Sequence, residues 1–278
     1  MPPSLDDWRR LYALCDPKHR LRIDELDLFV ERPDSVAQGI ARIISLGVEN
    51  EGKWLISGSV GAGKSTELTK LASLLHSSHL VIGVDLWQAT GNIDDITPAE
   101  ILFAIAAAAI RTAKVRLAHD IDQGKLDNLE AAFRGLLDRQ HEIDLNGLAE
   151  RVASFDENIL TLSTRSIAVP GCRSPKDVPA FPVRRTKLGG LTRPVRQGDP
   201  ALEALQRVVN DILDDIATLG RPLVLVDGLD KLTRIARIHE IFVASRALLS
   251  PCAPLVYTDP ITLAAKWNRT DNDFGASG

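Results

Sequence analysis

The sequence predicts an α/β fold, a three-layer sandwich in which helices cover both faces of a central parallel β-sheet. Short, almost wholly apolar segments, which are typical of strands buried on both faces, alternate along the chain with amphipathic helical patterns. One of these segments is followed by a glycine-rich loop and then by a helix, a common unit of parallel sheets. Over 278 residues, the hydrophobic share of 45% and the charged share of 25% are ordinary for a globular protein with one sizeable core.

Composition and charge argue against several classes of protein. A net charge of -4 provides no overall attraction to nucleic acid or to an anionic membrane. The three cysteines are far apart and the histidines form no i, i+4 pair, which disfavours a disulfide framework and a structural zinc site. The acidic N-terminus lacks the features of a signal peptide, and the longest apolar run, Ile101 to Ile110, is about half of a membrane span. We therefore expect a cytoplasmic protein without a membrane segment.

The first strand and the helices on either side of it have clear signals. A helix is predicted after Pro33, with Ser35 and Gln38 as a capping box and an apolar face that ends near Gly47. The apolar run Lys53 to Ser57 predicts a buried strand. A second helix is predicted after the glycine-rich loop, because apolar residues recur there at i, i+3, i+4 and i+7: Leu68, Leu71, Ala72 and Leu75.

A second strand and the start of another helix come next. Leu80 to Leu86 predicts a buried strand. Thr97, Pro98 and Glu100 then combine an N-cap, a proline in the first helical position and a reciprocal N3 carboxylate, so we predict that a helix begins there.

The middle of the chain predicts a helical insertion. From residue 114 to about residue 166 the pattern is helical and amphipathic, with one apolar face: Leu126, Leu129, Phe133, Leu136 and Leu137. Residues 168–198 form a basic loop, with five prolines and seven basic residues against the single acid Asp177. We therefore divide the chain into an N-terminal segment (1–33), the first part of the core (34–113), a helical insertion with its basic loop (114–199) and the second part of the core (200–278).

A long helix and two further strands complete the predicted sheet. Asp199 and Pro200 are the cap and the first position of a helix with a continuous apolar stripe. Leu223 to Val226 is a wholly apolar strand, and Pro254 to Thr258 is the next one. A helix is expected between these two strands, with its apolar positions at Ile238, Ile241, Phe242 and Leu249.

The glycine-rich loop matches the phosphate-binding pattern G-x-x-x-x-G-K-[ST]. Its glycines let backbone N–H groups converge on a β-phosphate, and the start of the following helix adds partial positive charge. We expect Lys64 to reach the β- and γ-phosphates and the Ser65 hydroxyl to bind magnesium. The loop therefore predicts a nucleotide-binding site formed by Gly58, Ser59, Val60, Gly61, Ala62, Gly63, Lys64, Ser65 and Thr66.

Such a site needs a carboxylate at the tip of a neighbouring strand to hold the magnesium ion. Asp227 directly follows an apolar strand, and we expect it to share the ion with Ser65. Asp230 lies three residues further on, where its carboxylate either orients and deprotonates the attacking water or is an exposed acid near a helix start. The chain lacks the N/T-K-x-D motif that selects guanine, so ATP is the expected nucleotide.

Three segments together resemble one family. Gly58 to Leu68 (GSVGAGKSTEL), Val226 to Leu232 (VDGLDKL) and Leu255 to Pro260 (LVYTDP) look like the Walker A, Walker B and sensor 1 segments of bacterial AAA+ ATPases. They are most similar to those of the STAND-like branch. The resemblance implies a P-loop NTPase fold that covers residues 28–260.

The resemblance also assigns two roles that the residues alone do not. Thr258, at the tip of its strand, would be the polar sensor 1 residue that faces the γ-phosphate, and the alternative is an ordinary β-branched strand end. Val30 lies in the segment Leu28 to Arg32, which is similar to the segment that packs on the adenine ring in these ATPases.

The chain departs from the family in two ways. Lys64 and Asp227 are far apart in the sequence, which is consistent with the predicted insertion. After Thr258 the chain continues only to Gly278, which is too short for the helical lid that carries sensor 2 in the family. We therefore expect no complete lid.

These patterns predict a magnesium-dependent ATPase that acts as a molecular switch or motor and passes its change of state to a protein partner or to another copy of itself. One alternative is a nucleotide-binding scaffold without hydrolysis, because Gly228 stands where many AAA+ proteins carry a catalytic glutamate. Another is a P-loop kinase for a small molecule, which the paired carboxylates of D-G-L-D disfavour. Nucleic-acid binding by the basic loop is not favoured, because Phe181 is its sole aromatic residue.

Overall fold

The computed structural model describes residues 4–14, 25–26, 30, 35–47, 52–89, 92–136 and 198–263. Within them, four parallel strands form one sheet in the order β1-β4-β3-β2: β1 Lys53–Gly58, β2 Leu80–Asp85, β3 Pro222–Asp227 and β4 Leu255–Pro260. The same residues contain eight α-helices: α1 Leu5–Leu14, α2 Val36–Leu46, α3 Lys64–Leu75, α4 Leu86–Ala89, α5 Pro98–Leu117, α6 Gln123–Arg134, α7 Pro200–Ala217 and α8 Ile235–His239. The predicted α/β class with a parallel sheet is confirmed.

Helices lie on both faces of the sheet, because strand side chains alternate between two apolar clusters. On one face, α2 and α3 pack in a cluster with the strand residues Ile56, Val81, Leu223, Leu225 and Val256. On the other face, α5, α6 and α7 share a cluster with the strand residues Ile82, Val84, Val224, Val226 and Tyr257. Every residue of β2, β3 and β4 is buried, as expected for strands that are covered on both faces.

Two helix starts follow their sequence signals. At α5, the Thr97 hydroxyl accepts a hydrogen bond from the Glu100 backbone N–H (3.3 Å), and the Thr97 N–H donates to the Glu100 carboxylate (2.8 Å). At α7, the Asp199 carboxylate accepts a hydrogen bond from the Ala201 N–H (3.0 Å), and Pro200 occupies the first turn. Both predictions are confirmed. They could be made from the sequence because these contacts join residues that are close together in the chain.

The predicted capping box at the start of α2 is wrong. Ser35 makes no side-chain capping bond to its own helix, and its hydroxyl donates instead to the carboxylate of Glu67 in α3 (3.1 Å). The Ala37 backbone N–H donates to the same carboxylate oxygen (3.0 Å). Glu67 therefore caps α2 from the neighbouring helix, and a partner so distant in the chain cannot be recognised from the local pattern of Ser35 and Gln38.

The segment between α8 and β4 is not the continuation of a single helix. A wider π-helical turn covers Glu240–Ala244, and Ala247–Leu249 is a separate 3-10 turn. A π turn bonds residues five apart, so the helical period changes at this point. Ile241 and Phe242 are buried as predicted, but Leu249 is 38% exposed. The prediction of one helix with Leu249 on its apolar face is therefore wrong.

α5 carries the longest apolar run of the sequence. Ile101 to Ile110 are all buried, in contact with β2 and α7 among other elements. The helix continues to Leu117, so residue 114, the expected start of the insertion, lies inside it. None of the helices in the described parts of the chain is both long and apolar enough to cross a membrane.

The described beginning of the expected insertion packs on the main core. α6 lies against α7, and its Phe133 ring stacks on Phe103 of α5 with the ring centroids 4.3 Å apart. Leu129 and Leu136 join the same apolar cluster, as their spacing predicts. Residues 137–197 lie outside the described residues, so the rest of the insertion and nearly all of the basic loop stay predictions.

Replacing Glu67 by alanine tests the cap that α3 provides to α2. The change leaves the Ala37 N–H and the Ser35 hydroxyl without their carboxylate partner. We expect the free energy of unfolding, measured by urea denaturation, to fall by about 1–3 kcal/mol. Gln38→Ala is the matched control, because Gln38 completes the sequence pattern but not the observed cap. An equal loss in the two variants would contradict this account of α2.

Candidate functional site

The carboxyl ends of the four parallel strands meet along one edge of the sheet. β1 leads into the glycine-rich loop, and Asp85 at the end of β2 lies opposite Asp227 at the end of β3 in the strand register. Asp259, near the end of β4, lies opposite Ser57 of β1. Asp85, Asp227 and Asp259 are fully buried. Three buried carboxyl groups therefore lie at the edge that carries the glycine-rich loop.

The glycine-rich loop lies at the protein surface beside the start of α3. Gly61 and Gly63 have φ angles of +83° and +89°, which residues with a side chain rarely adopt. Gly63 is the N-cap residue of α3, and residues 59–62 are exposed. An anion at this point would meet backbone N–H groups of the loop and the positive end of the helix.

Lys64, the first residue of α3, is buried and turned back onto the loop. Its Nζ donates to the backbone carbonyl oxygens of Gly58 (2.7 Å) and Ser59 (2.8 Å). The same atom lies 3.0 Å from Asp230 Oδ2, and the two side chains are only 4% and 8% exposed. An ammonium group has three N–H donors, and these three oxygens are sufficient to engage all of them.

Thr258 and Asp227 meet at the tips of β4 and β3. The Thr258 hydroxyl donates to Asp227 Oδ1 (3.2 Å) and accepts a hydrogen bond from the Gly228 backbone N–H (3.0 Å). The Gly228 N–H also lies 2.8 Å from Asp227 Oδ1. Thr258 is fully buried, and its hydroxyl orients the carboxylate predicted to hold magnesium. Contact between Thr258 and a γ-phosphate stays a prediction.

Gly228 makes the turn that returns Asp230 to Lys64. Its φ is +102°, and a Cβ atom at this position would lie 2.7 Å from the backbone nitrogen of Trp87. A side chain at this position therefore requires the backbone to shift. The 3-10 turn Leu229–Lys231 follows, with Leu229 fully buried. In this backbone arrangement, the carboxylate beside Lys64 comes from residue 230 and not from residue 228.

Asp259 is a site residue that the sequence analysis missed. The Ser57 hydroxyl lies 2.7 and 2.8 Å from its two carboxylate oxygens. Burial raises the pKa of Asp259, and the nearby Asp230 carboxylate raises it further. The hydrogen bond from Ser57 and the charge of Lys64 lower this pKa, but they do not offset burial. The signal was available, because Asp259 comes at the end of an apolar strand just as Asp227 does.

The residues present fit a magnesium ion that is bound together with phosphates. Ser65 is in the first turn of α3 and Asp227 ends β3, so a hydroxyl and a carboxylate, both hard oxygen ligands, lie at the edge of the sheet that carries the loop. Asp230 Oδ1 is buried and accepts no hydrogen bond from the described residues, so it can bind a water of the ion's shell. No group of three or more His, Cys, Asp or Glu side chains among the described residues could hold a metal ion. Magnesium usually keeps waters and takes substrate phosphates as ligands, so a test of this site requires the nucleotide.

The predicted contact with adenine is not resolved by the described residues. Of the segment Leu28 to Arg32, only Val30 is described, and it is 79% exposed. Its role in binding the nucleotide base stays a prediction.

Comparisons with known proteins do not assign a family. No protein-family model, curated protein or solved structure matches the chain. What the fold and the site define is an α/β protein with a parallel sheet, whose carboxyl edge joins an exposed glycine-rich loop to one buried lysine and several buried carboxyl groups.

The raised pKa of Asp259 predicts a pH-dependent stability. The folded protein binds a proton at Asp259 more readily than the unfolded chain does, so stability falls as the pH rises from the ordinary Asp pKa of 3.8 through the raised value. Asp259→Asn keeps an acceptor for the Ser57 hydroxyl and cannot ionise. We expect this variant to be more stable than the wild type above that pH window, with a difference that shrinks as the pH falls towards 3.8. Urea denaturation at a series of pH values measures it.

Asp94→Asn is a control with the opposite expected sign. Burial alone would raise the pKa of Asp94, but hydrogen bonds from Thr233 and Arg234 lower it. The stability that this carboxylate contributes is present above its ordinary pKa and is lost as the pH falls through the lowered value. The variant should therefore be less stable than the wild type at neutral pH and equal to it in acid. A pH-independent difference for Asp259→Asn would contradict the electrostatic explanation.

Proposed function

We propose that the chain is an ATP-binding protein with a P-loop NTPase fold, a magnesium-dependent ATPase that acts as a molecular switch or motor. The observation that carries the proposal is the 3.0 Å contact between Lys64 Nζ and Asp230 Oδ2. The lysine follows a glycine-rich loop after β1, and the carboxylate belongs to the turn after β3. Two motifs far apart in the sequence therefore meet at one point, where a phosphate chain would need both of them.

Each residue of the site has a role in this proposal. The loop amides and Lys64 bind the phosphates, and the hydrogen bond from Thr258 holds the Asp227 carboxylate in place. Ser65 and Asp227 would hold the magnesium ion, which neutralises phosphate charge when it is bound. Asp230 lies beside the lysine, where it can orient a water molecule for attack on the γ-phosphate and accept its proton.

A protein partner or a second copy of the chain would complete the site. Transfer of a phosphoryl group is accelerated by additional positive charge around it. Arg234 and Arg237 follow the Asp230 turn, but Arg234 is paired with Asp95 (2.8 Å) and Arg237 with Glu240 (2.6 Å). We infer that an arginine from a neighbour supplies this charge and that the isolated chain hydrolyses ATP slowly.

A scaffold that binds nucleotide without hydrolysing it is the second candidate. It is favoured by Gly228, because the close approach of Trp87 leaves no room for a carboxylate side chain at that position without a backbone shift. A P-loop kinase is a weaker alternative, and it would need an acceptor molecule in place of water.

Lys64→Ala tests nucleotide binding directly. Charge-assisted hydrogen bonds are worth about 1.5–3 kcal/mol each, so we expect ATP affinity at fixed magnesium to fall at least about tenfold in a titration calorimeter. Lys53→Ala is the matched control, because Lys53 begins β1 at the opposite edge of the sheet, where its Nζ donates to the Ala253 carbonyl (3.0 Å). Unchanged affinity in Lys64→Ala would remove the phosphate-loop assignment.

Release of phosphate from ATP separates the three candidate activities. An ATPase releases inorganic phosphate in water alone, a kinase turns over only with an acceptor, and a scaffold does neither. We expect slow release that needs no acceptor, with a rate per molecule that rises with protein concentration if another copy supplies the missing arginine. A fast rate that is independent of concentration would show that the site is complete within one chain.

A further inference from the structure

The contacts of Lys64 leave none of its three N–H donors free for a phosphate. The three oxygens around Nζ lie at 2.7, 2.8 and 3.0 Å, which are normal distances for hydrogen bonds from an ammonium group. A phosphate oxygen that binds this lysine therefore has to replace one of them. Two belong to the loop backbone, at Gly58 and Ser59, and the third belongs to Asp230.

Of the three partners of Lys64, Asp230 is the one that competes most directly with a phosphate. It is the one anion of the three, so it repels a phosphate while it competes for the same ammonium group. Its second oxygen, Oδ1, is buried and accepts no hydrogen bond from the described residues, so the ion pair compensates only part of the cost of burying this carboxylate. Replacing the backbone carbonyls would instead require the loop itself to change.

We propose that Asp230 is an internal competitor of the nucleotide phosphates, and that nucleotide binding requires this carboxylate to leave Lys64. The inference rests on the proposed function and adds a regulatory step to it. The same movement frees the Asp230 carboxylate to contact the water that attacks the γ-phosphate. Nucleotide binding and the positioning of the attacking water therefore occur together. The switch element is the turn Leu229–Lys231, which carries Asp230 and follows the constrained Gly228.

A tryptophan lies where it can report this movement. The backbone of Trp87 packs against Gly228, and Lys231 Nζ lies 5.1 Å from the centroid of the Trp87 ring. Trp87 is 49% exposed. Displacement of the turn that carries Asp230 and Lys231 would change the surroundings of this indole.

The test compares ADP affinity in the wild type, Asp230→Asn, Lys64→Ala and the double variant, at fixed magnesium. ADP is used because Asp230→Asn is also expected to slow hydrolysis, and slower hydrolysis by itself would raise the apparent affinity for ATP. It cannot raise the affinity for ADP, which is the product. We expect Asp230→Asn to bind ADP about tenfold or more tightly than the wild type. In the Lys64→Ala background this gain should disappear, because the competition acts through Lys64.

Asp259→Asn is the matched control for charge. Above the raised pKa of Asp259 it also removes a negative charge near Lys64, yet Asp259 is held by Ser57 and forms no ion pair with the lysine. An equal gain in Asp259→Asn would mean that any loss of negative charge strengthens binding, and it would overturn the proposal. Unchanged or weaker ADP binding by Asp230→Asn, or a gain that persists without Lys64, would overturn it as well.

Failure of the proposed function gives a different result. If none of the four proteins binds ADP or ATP, the nucleotide site itself is wrong and the competition falls with it. If Asp230→Asn does not fold, the wild type provides the test through the fluorescence of Trp87. The emission of Trp87 is the part of the wild-type fluorescence that the Trp87→Phe variant lacks. We expect ADP to change that emission, and calorimetric binding of ADP without such a change would refute displacement of the turn.

Discussion

The position of β4 between β1 and β3 is the constraint on which the site depends. β4 follows the other three strands in the chain, yet it pairs with both β1, which leads into the glycine-rich loop, and β3, which leads into the turn that carries Asp230. Because all pairings are parallel, the carboxyl ends of these strands are brought to one edge. Thr258 can therefore reach Asp227 on one side while Asp259 reaches Ser57 on the other. The last described strand thus joins the glycine-rich loop to the acidic turn after β3.

Balance of charge in a buried environment explains the contacts within the site. Several buried carboxyl groups and one buried lysine lie at this edge of the sheet, where little water can screen them, and each needs a partner. Asp230 pairs with the lysine, and Asp227 accepts hydrogen bonds from a hydroxyl and a backbone N–H. Asp259 accepts a hydrogen bond from the Ser57 hydroxyl, but burial still keeps its pKa raised. Arriving phosphates and a cation would redistribute these partners, which is why binding and rearrangement are coupled in our proposal.

Two residues outside the ligand contacts support this geometry. Gly228 lets the chain turn with a positive φ against the backbone of Trp87, so Asp230 returns to Lys64. Glu67 lies one turn after Lys64 in α3 and caps the start of α2. The beginning of α3, which follows the glycine-rich loop, is thereby tied to the beginning of α2.

The sequence by itself determined the class of fold, the positions of all four strands and the residues at which α5 and α7 begin. These features depend on short-range periodicity and on caps such as Thr97 with Glu100, whose atoms are close in the chain. It also identified Lys64, Asp227 and Asp230 as candidates, because each stands at a fixed offset from a strand. Only the tertiary structure decided that Lys64 pairs with Asp230, that Glu67 replaces the local cap of α2 and that Asp259 pairs with Ser57. Those contacts cross from one element to another, and their geometry follows from strand order and burial, which no local pattern encodes.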